Sequence, residues 1–257
     1  MKRLYYCVAY YQSWVFFAFF GLLLNVICAP MLLLPRRERL VPFVRSMIRF
    51  LFQWWVRWFG LSKMLRIRWV GVPEEGLPSG VIYVANHPTL VDATFLLSRL
   101  PRAFCLFKPK LMRNPAIGPA AIMASYVAGE TAVDVLRQSV EKVSAGETML
   151  IFPEGTRTTP GRAVEPLRPG FAVIAQRASV PVQLLVIRAS RGLVPRGRAW
   201  WRPPEELPAW VEIRLDRRWE PAPNLDMQTL REEVERRLRE VLEPEAVSAV
   251  AVKTELS

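Results

Sequence analysis

Three textures of hydrophobic and polar residues follow one another along the chain. From Trp14 to Leu34 the run WVFFAFFGLLLNVICAPMLLL holds 21 residues without a charge. At a helical rise that covers about 31 Å, the thickness of a hydrocarbon core. Tyr5, Tyr6, Tyr10, Tyr11 and Trp14 stand at its start, where an aromatic belt lies at lipid headgroups. Asn25 and Pro30 interrupt a straight crossing, so a re-entrant or hairpin insertion stands beside a full span. Lys2 and Arg3 resemble the start of a signal peptide, but the apolar run is too long and no small-x-small cleavage site follows.

The second texture is RRERLVPFVRSMIRFLFQWWVRWFG. Arg45, Arg49, Gln53 and Arg57 recur every fourth residue and form one polar stripe, with Val44, Ile48, Leu51, Phe52, Trp55 and Phe59 filling much of the rest. This pattern predicts a helix lying in the membrane interface, its arginines meeting anionic headgroups. Arg36, Arg37, Arg39, Arg45 and Arg49 outnumber the two basic residues at the start, so the positive-inside rule puts everything after residue 35 on the cytoplasmic side.

From Leu65 the third texture begins, short apolar runs separated by turn residues. LRIRWVGV, GVIYVAN, AFCLFK, ETMLIFPEG, VPVQLLVIRAS and WVEIRLDRRW read as strands. TLVDATFLLSRL, VDVLRQSVEKVSAG and GFAVIAQRAS read as helices, the second capped by Gly146, and NPAIGPAAIMASYVAG mixes both. Strands alternating with helices predict an α/β domain with a largely buried sheet. DMQTLREEVERRLREVL is an amphipathic helix near the C-terminus, and residues 244–257 read as a loose tail. The expected organisation is a membrane anchor over 1–60, an α/β domain over 61–225, and a C-terminal helix and tail over 226–257.

Composition narrows the partners. The chain of 257 residues is 51% hydrophobic with a net charge of +12, which calls for an anionic partner. Because many of the charges flank the apolar run, a membrane surface or an acidic carrier protein fits better than nucleic acid. Cys7, Cys28 and Cys105 show no paired spacing and His87 is the one histidine, so neither a disulfide framework nor a zinc centre is expected.

His87 sits in NHPTLVD, five positions before Asp92. Pro88 suits the first turn of a helix, which would place Asn86 or His87 at its N-cap. With His87 in the turn and Asp92 on the helix, the imidazole can fold back to the carboxylate, leaving its other nitrogen free to take a proton. No G-x-S-x-G and no neighbouring cysteine supplies a nucleophile, so the nucleophile belongs to the substrate. The second motif, IFPEGTRTTPG, runs from a strand into a turn with Glu154, Gly155, Thr156 and Arg157. Gly155 permits close backbone approach to a ligand, and Arg157 offers a planar fork to phosphate or carboxylate.

NHPTLVD followed by FPEGTR resembles the glycerolipid acyltransferase family, typified by 1-acylglycerol-3-phosphate acyltransferases, over roughly residues 60–215. The resemblance implies a glycerol-3-phosphate acyltransferase-like mixed sheet flanked by helices. It implies that His87 deprotonates an acceptor hydroxyl, that Asp92 orients it, and that the hydroxyl attacks an acyl thioester directly, with no acyl-enzyme. Lys108 in FKPKLMRNP matches a family lysine that positions the acceptor phosphate or the thioester oxyanion. Glu154, Gly155, Thr156 and Arg157 would hold the headgroup, and VPVQLLVI matches a fourth block lining the hydrophobic side. The co-substrate would be acyl-CoA or acyl-ACP, with no cofactor or metal, at the cytoplasmic face of a bacterial inner membrane. One departure is informative: ASYVAGE carries Gly129 where the family places an arginine against phosphate. Arg113 or Arg157 is the expected substitute; otherwise the acceptor is an ornithine lipid, a glycolipid or a polyene-type lipid. A non-catalytic lipid-binding protein is the reading from another class.

Overall fold

The computed structural model describes residues 2–73, 75–222 and 226–254, as backbone alone beyond Glu243. Two long helices come first, α1 (Lys2–Met31) and α2 (Val41–Ser62), joined by a 3-10 turn at Arg37–Leu40. The α/β unit follows as β1 (Leu65–Val70), β2 (Ile82–Ala85), α3 (Asp92–Arg99), β3 (Phe104–Cys105), α4 (Pro109–Met112), α5 (Gly118–Met123), α6 (Ala132–Ser144) and β4 (Met149–Ile151). It ends with α7 (Gly170–Ala178), β5 (Val182–Ala189), β6 (Ala209–Trp219) and α8 (Met227–Thr254). The strands form one sheet in the order β1-β6-β5-β2-β4-β3. Only the β5–β6 pair is antiparallel; the other four are parallel. The sheet is therefore mixed, as the family resemblance implies. The β2 pattern is buried at all four positions and β5 at its first six, the unbroken apolar reading of strands covered on both faces.

The C-terminal helix differs from the expectation. Leu230, Val234 and Leu238 are buried in the same core as the sheet, so α8 is a layer of the α/β unit. Its backbone stays helical to Thr254, where a loose tail was expected from residue 244; residues 255–257 of that tail lie outside the described residues.

The N-terminal pair departs further. α1 is one continuous helix over the aromatic stretch and the apolar run alike, long and apolar enough by length and composition to cross a membrane. One side of it is fastened to the rest of the chain. The Tyr10 hydroxyl donates to the Trp200 carbonyl, and Trp55 Nε1 donates to the Ser13 carbonyl at 2.8 Å. Asn25 does not break α1: its Nδ2 donates to Gly21 O at 2.8 Å, and its Oδ1 accepts the Ala120 N–H at the start of α5 at 3.0 Å. Leu4, Val15, Phe19, Leu22 and Val26 on the other side stay exposed.

The polar stripe of α2 does not face lipid. Arg45 is buried and donates to Ala124 O at 2.7 Å and Arg102 O at 2.9 Å. Arg49 and Gln53 both donate to Ser98 O, at 3.3 and 3.0 Å. These carbonyls lie at or just beyond the C-terminal ends of α5 and α3, where backbone acceptors lack intrahelical partners and cations are favoured. Arg45 Nη1 also lies 2.6 Å from Glu147 Oε2 as an ion pair, out of line for a hydrogen bond. Of the stripe, Gln53 and Arg57 stay exposed, Gln53 with its amide on Ser98 O and Arg57 over the Trp54 ring. The outward side of α2 is instead apolar, with Phe43, Phe50, Trp54 and Leu61 exposed. Phe50 and Trp54 line, with Phe16 and Phe20 of α1, a groove of about 660 Å³. Arg45 and Arg49, counted above as headgroup partners, are thus internal caps.

Replacing Arg45 with methionine should leave the Ala124 and Arg102 carbonyls without their donor and Glu147 without its nearest cation. A loss of about 3 kcal/mol is expected from such a break, read as a lowered urea midpoint.

Candidate active site

Pairing register places the two motifs side by side. In the parallel β2–β4 ladder Val84 is level with Ile151. His87 and Glu154 each lie three residues further on, so both turns leave the carboxyl ends of adjacent parallel strands. Such ends form the crevice in which α/β sheets bind ligands. Asn86 fixes the end of β2 to β5: its Nδ2 donates to Ile187 O at 2.8 Å and its Oδ1 accepts from Ile187 N at 2.7 Å. The chain then turns, and α3 begins only at Asp92 with Val91 at its N-cap. Pro88 is therefore in the turn rather than at the head of the helix, and His87 is not an N-cap residue.

That delayed start brings the pair together. His87 Nδ1 lies 2.8 Å from Asp92 Oδ2, which also accepts the Thr89 N–H at 2.7 Å. The Thr89 hydroxyl donates to Asp92 Oδ1 at 2.6 Å. Since the carboxylate is an acceptor throughout, Nδ1 carries the hydrogen and Nε2 presents a lone pair. The Asp92 side chain is fully buried while that of His87 keeps 18% exposure, so the carboxylate is hidden and the imidazole reaches the surface. The Phe152 ring stacks on the imidazole with centroids 4.2 Å apart and planes 20° from parallel, which fixes the ring plane.

Glu154 faces the interior, contrary to its expected role at a headgroup. Its Oε1 accepts the His87 N–H at 2.8 Å and its Oε2 accepts the Glu165 N–H at 2.9 Å, with the Thr158 hydroxyl 2.9 Å from both oxygens. Thr158 N–H donates in turn to His87 O at 2.8 Å. Both backbone polar groups of His87 are thus held by the second motif. Burial pushes the Glu154 carboxyl above its ordinary value, against the N–H groups of Glu165 and His87 and the Thr158 hydroxyl, which favour the ionised form.

The space beside Gly155 also has an occupant. Gly155 has φ +67°, and a Cβ there would lie 2.8 Å from both Cζ and Nε of Arg168. Glycine is needed twice, for the left-handed turn and for that guanidinium. Arg157 Nη1 donates to Val194 O at 3.2 Å and Pro195 O at 2.9 Å, leaving its Nε and Nη2 for an anion. Burial lowers the Arg157 pKa; Asp92 opposes the shift and Arg196 adds to it. Thr156 is half-buried beside them. Lys108 is exposed at the N-cap of α4, and Arg113 is paired in the open with Glu130 at 2.5 Å. Neither hydrogen-bonds or ion-pairs with His87, Asp92 or Glu154. Gly129 abuts α6: a Cβ would stand 3.1 Å from Asp134 Cβ and from Val135 Cγ2, so an arginine there needs α6 to move. Phe152, Thr89, Thr158 and Arg168 were missed from sequence. Thr89, three residues before Asp92, carried the one legible sign, the spacing of a local side-chain cap.

Residues 71–188 match the family model described as Acyltransferase, a stretch that holds both motifs. Over that stretch the chain is similar to glycerolipid acyltransferases. The chloroplast 1-acyl-sn-glycerol-3-phosphate acyltransferase BAT2 of Brassica napus is 32% identical over 131 residues, 48% of this chain and 38% of that one. The lyso-ornithine lipid O-acyltransferase of Pseudomonas aeruginosa is 28% identical over 152 residues, 57% of each chain. The chain therefore spans less than two thirds of the length of these relatives. The crystal structure of the 1-acyl-sn-glycerophosphate acyltransferase PlsC from Thermotoga maritima shares the fold, with a TM-score of 0.68, 23% identity, and 94% and 96% of the two chains covered.

Glu154→Gln should turn an amide NH₂ towards one of two backbone N–H groups. The expected loss is about 2 kcal/mol for a buried donor without an acceptor, measured by equilibrium denaturation.

Proposed function

We propose that the chain transfers a fatty acyl group from a thioester to the hydroxyl of a lysolipid. The observation that carries this reading is the His87–Asp92 pair, buried on the aspartate side and open on the histidine side, with no nucleophile beside it. The acceptor hydroxyl gives its proton to His87 Nε2 as its oxygen bonds to the thioester carbonyl carbon. The tetrahedral oxyanion collapses, the C–S bond breaks, and Nε2 returns the proton to the departing thiolate. An ester and a free thiol result, with Asp92 holding the ring throughout. Arg157 and Arg168 are the cations for the acceptor's anionic group. Lys108, exposed on the neighbouring connection, is the reserve for the thioester oxyanion or the acceptor phosphate. The donor is acyl-CoA or an acyl carrier protein, and no metal or cofactor takes part.

For the acceptor, 1-acylglycerol-3-phosphate agrees with most of the named relatives. A second reading, an amphiphile bearing a carboxylate and an amine such as lyso-ornithine lipid, is favoured by the closed space at Gly129 and the Arg113–Glu130 pair. In that reading the acid next to Gly129 meets the amine.

The enzyme works at a membrane, in this proposal the cytoplasmic face of a bacterial inner membrane. α1 is fastened to the α/β unit near both ends, from Tyr10 to Asn25, so a crossing orientation would drag a charged flank into hydrocarbon. The exposed sides of α1 and α2 instead lie in one side of the bilayer.

His87→Ala should lower turnover by about 10²-fold or more, the lower bound for general-base assistance, and Asp92→Asn should do the same with the unfolding midpoint near that of the parent. Initial rates with a labelled thioester check both, and parental rates in His87→Ala would end the mechanism. Assays with 1-acylglycerol-3-phosphate and with lyso-ornithine lipid separate the two acceptors. A clear preference, at least tenfold in kcat/KM, is expected for one of them.

A further inference from the structure

The segment between β5 and β6 is absorbed by neither the chemistry nor the sheet. It reads SRGLVPRGRAWWRPPEELP and connects two places. At one end it meets the active site: Val194 O accepts from the Leu90 N–H at 3.0 Å and from Arg157, and Arg196 Nη1 donates to Thr159 Oγ1 at 3.2 Å. At the other it meets α1: the Trp200 carbonyl accepts from Tyr10, and the Trp200 ring lies 5.2 Å from that of Trp14. Its shape is set from within, since Arg198 binds Glu205 and donates to Pro203 O at 2.8 Å.

Its outer surface combines apolar rings with free cations. Trp200 and Trp201 are 47% and 55% exposed with ring centroids 5.7 Å apart. Arg191 and Arg202 are exposed, and among the described residues neither has an ion-pair partner. This surface continues the exposed apolar side of α1, where Tyr11 is 47% and Val15 68% exposed. Exposed tryptophans beside unpaired arginines suit neither bulk water nor hydrocarbon. They suit the boundary, where indole rings settle among headgroups and guanidinium groups meet phosphate.

We propose that residues 191–202 form a further membrane contact that seats on anionic lipid and fixes the His87 turn at headgroup depth. The proposal rests on the reading of α1 and α2 as a membrane anchor and adds to it a contact outside both helices. Because the carbonyls of one segment hold both Tyr10 of α1 and Arg157, depth in the bilayer and position of the active-site turn are set together.

The test compares the parent with Trp201→Ser/Arg202→Gln and with Arg191→Gln/Arg202→Gln, all as full chains. Both leave Trp200 on Trp14 and Arg157 on its carbonyls. Co-flotation is measured with vesicles of phosphatidylcholine alone and of equal phosphatidylcholine and phosphatidylglycerol. The double-arginine variant should bind the anionic vesicles about 25-fold more weakly and the Trp201→Ser/Arg202→Gln variant about fivefold or more, since each cation at a surface contributes roughly a fivefold factor. Binding by the variants should also depend less on salt, with an unchanged unfolding midpoint. Unchanged flotation in both variants would overturn the proposal. So would unchanged flotation with weaker transfer from an acyl carrier protein, which would make the segment a carrier dock. A parent that floats with neither vesicle would overturn the anchor reading itself, and this proposal with it.

Discussion

A carboxylate taken out of water is tolerated only where donors replace its hydration. Glu154 is nine-tenths or more buried and satisfies that condition with the His87 N–H, the Glu165 N–H and the Thr158 hydroxyl. The rest of the site follows from that requirement. Meeting it draws three separate pieces of chain onto one side chain. The Thr158 N–H to His87 O bond then closes a ring between the two motifs. Backbone held on both its polar groups leaves His87 only its side-chain torsions, and Asp92 with Phe152 removes most of those. The imidazole is therefore positioned before any substrate arrives, the condition under which a general base gains most from orientation.

The anchor obeys a related constraint with the opposite outcome. Carbonyls at and beyond the ends of α3 and α5 need donors, and α2 is the neighbouring element with long cationic side chains. Arg45, Arg49 and Gln53 supply them. The helix that results is polar towards the protein and aromatic towards the outside. Periodicity reveals that a helix has a polar stripe but not what the stripe faces; water, headgroups and unsatisfied carbonyls call for the same residues. That is why the stripe reads as lipid-facing in sequence and lies against the domain in structure.

The order of strands and helices was legible because buried strands and amphipathic helices differ in period, and the sheet positions from β1 to β6 carry that difference plainly. The His87–Asp92 pair was legible because a proline and a five-residue spacing restrict the turn, even though α3 starts later than Pro88 suggests. The orientation of Glu154 was not. An acid in a Gly-rich turn looks the same whether it meets solvent, a ligand or three donors, and only the strand register shows which. Arg168 was illegible for another reason: its contact with Gly155 depends on how the loop before α7 returns to the turn, where the Arg168 N–H donates to Pro153 O at 2.9 Å, and no local pattern encodes that return.

In the proposed reaction, where the substrate supplies the nucleophile, water is the competitor of the acceptor. The base that activates a lipid hydroxyl would activate water equally well. Phe152 stacks on one face of the ring and Asp92 occupies Nδ1, so Nε2 is the ring nitrogen without a partner among the described residues. What reaches that edge is then decided by where the edge points. On the proposed membrane placement, a site tied through residues 194–200 to α1 would draw its acceptor from the bilayer, where lysolipid is concentrated and water is scarce. Under that arrangement selectivity for the lipid hydroxyl is largely a matter of placement, and the cations at Arg157 and Arg168 need only set which headgroup stays long enough to react.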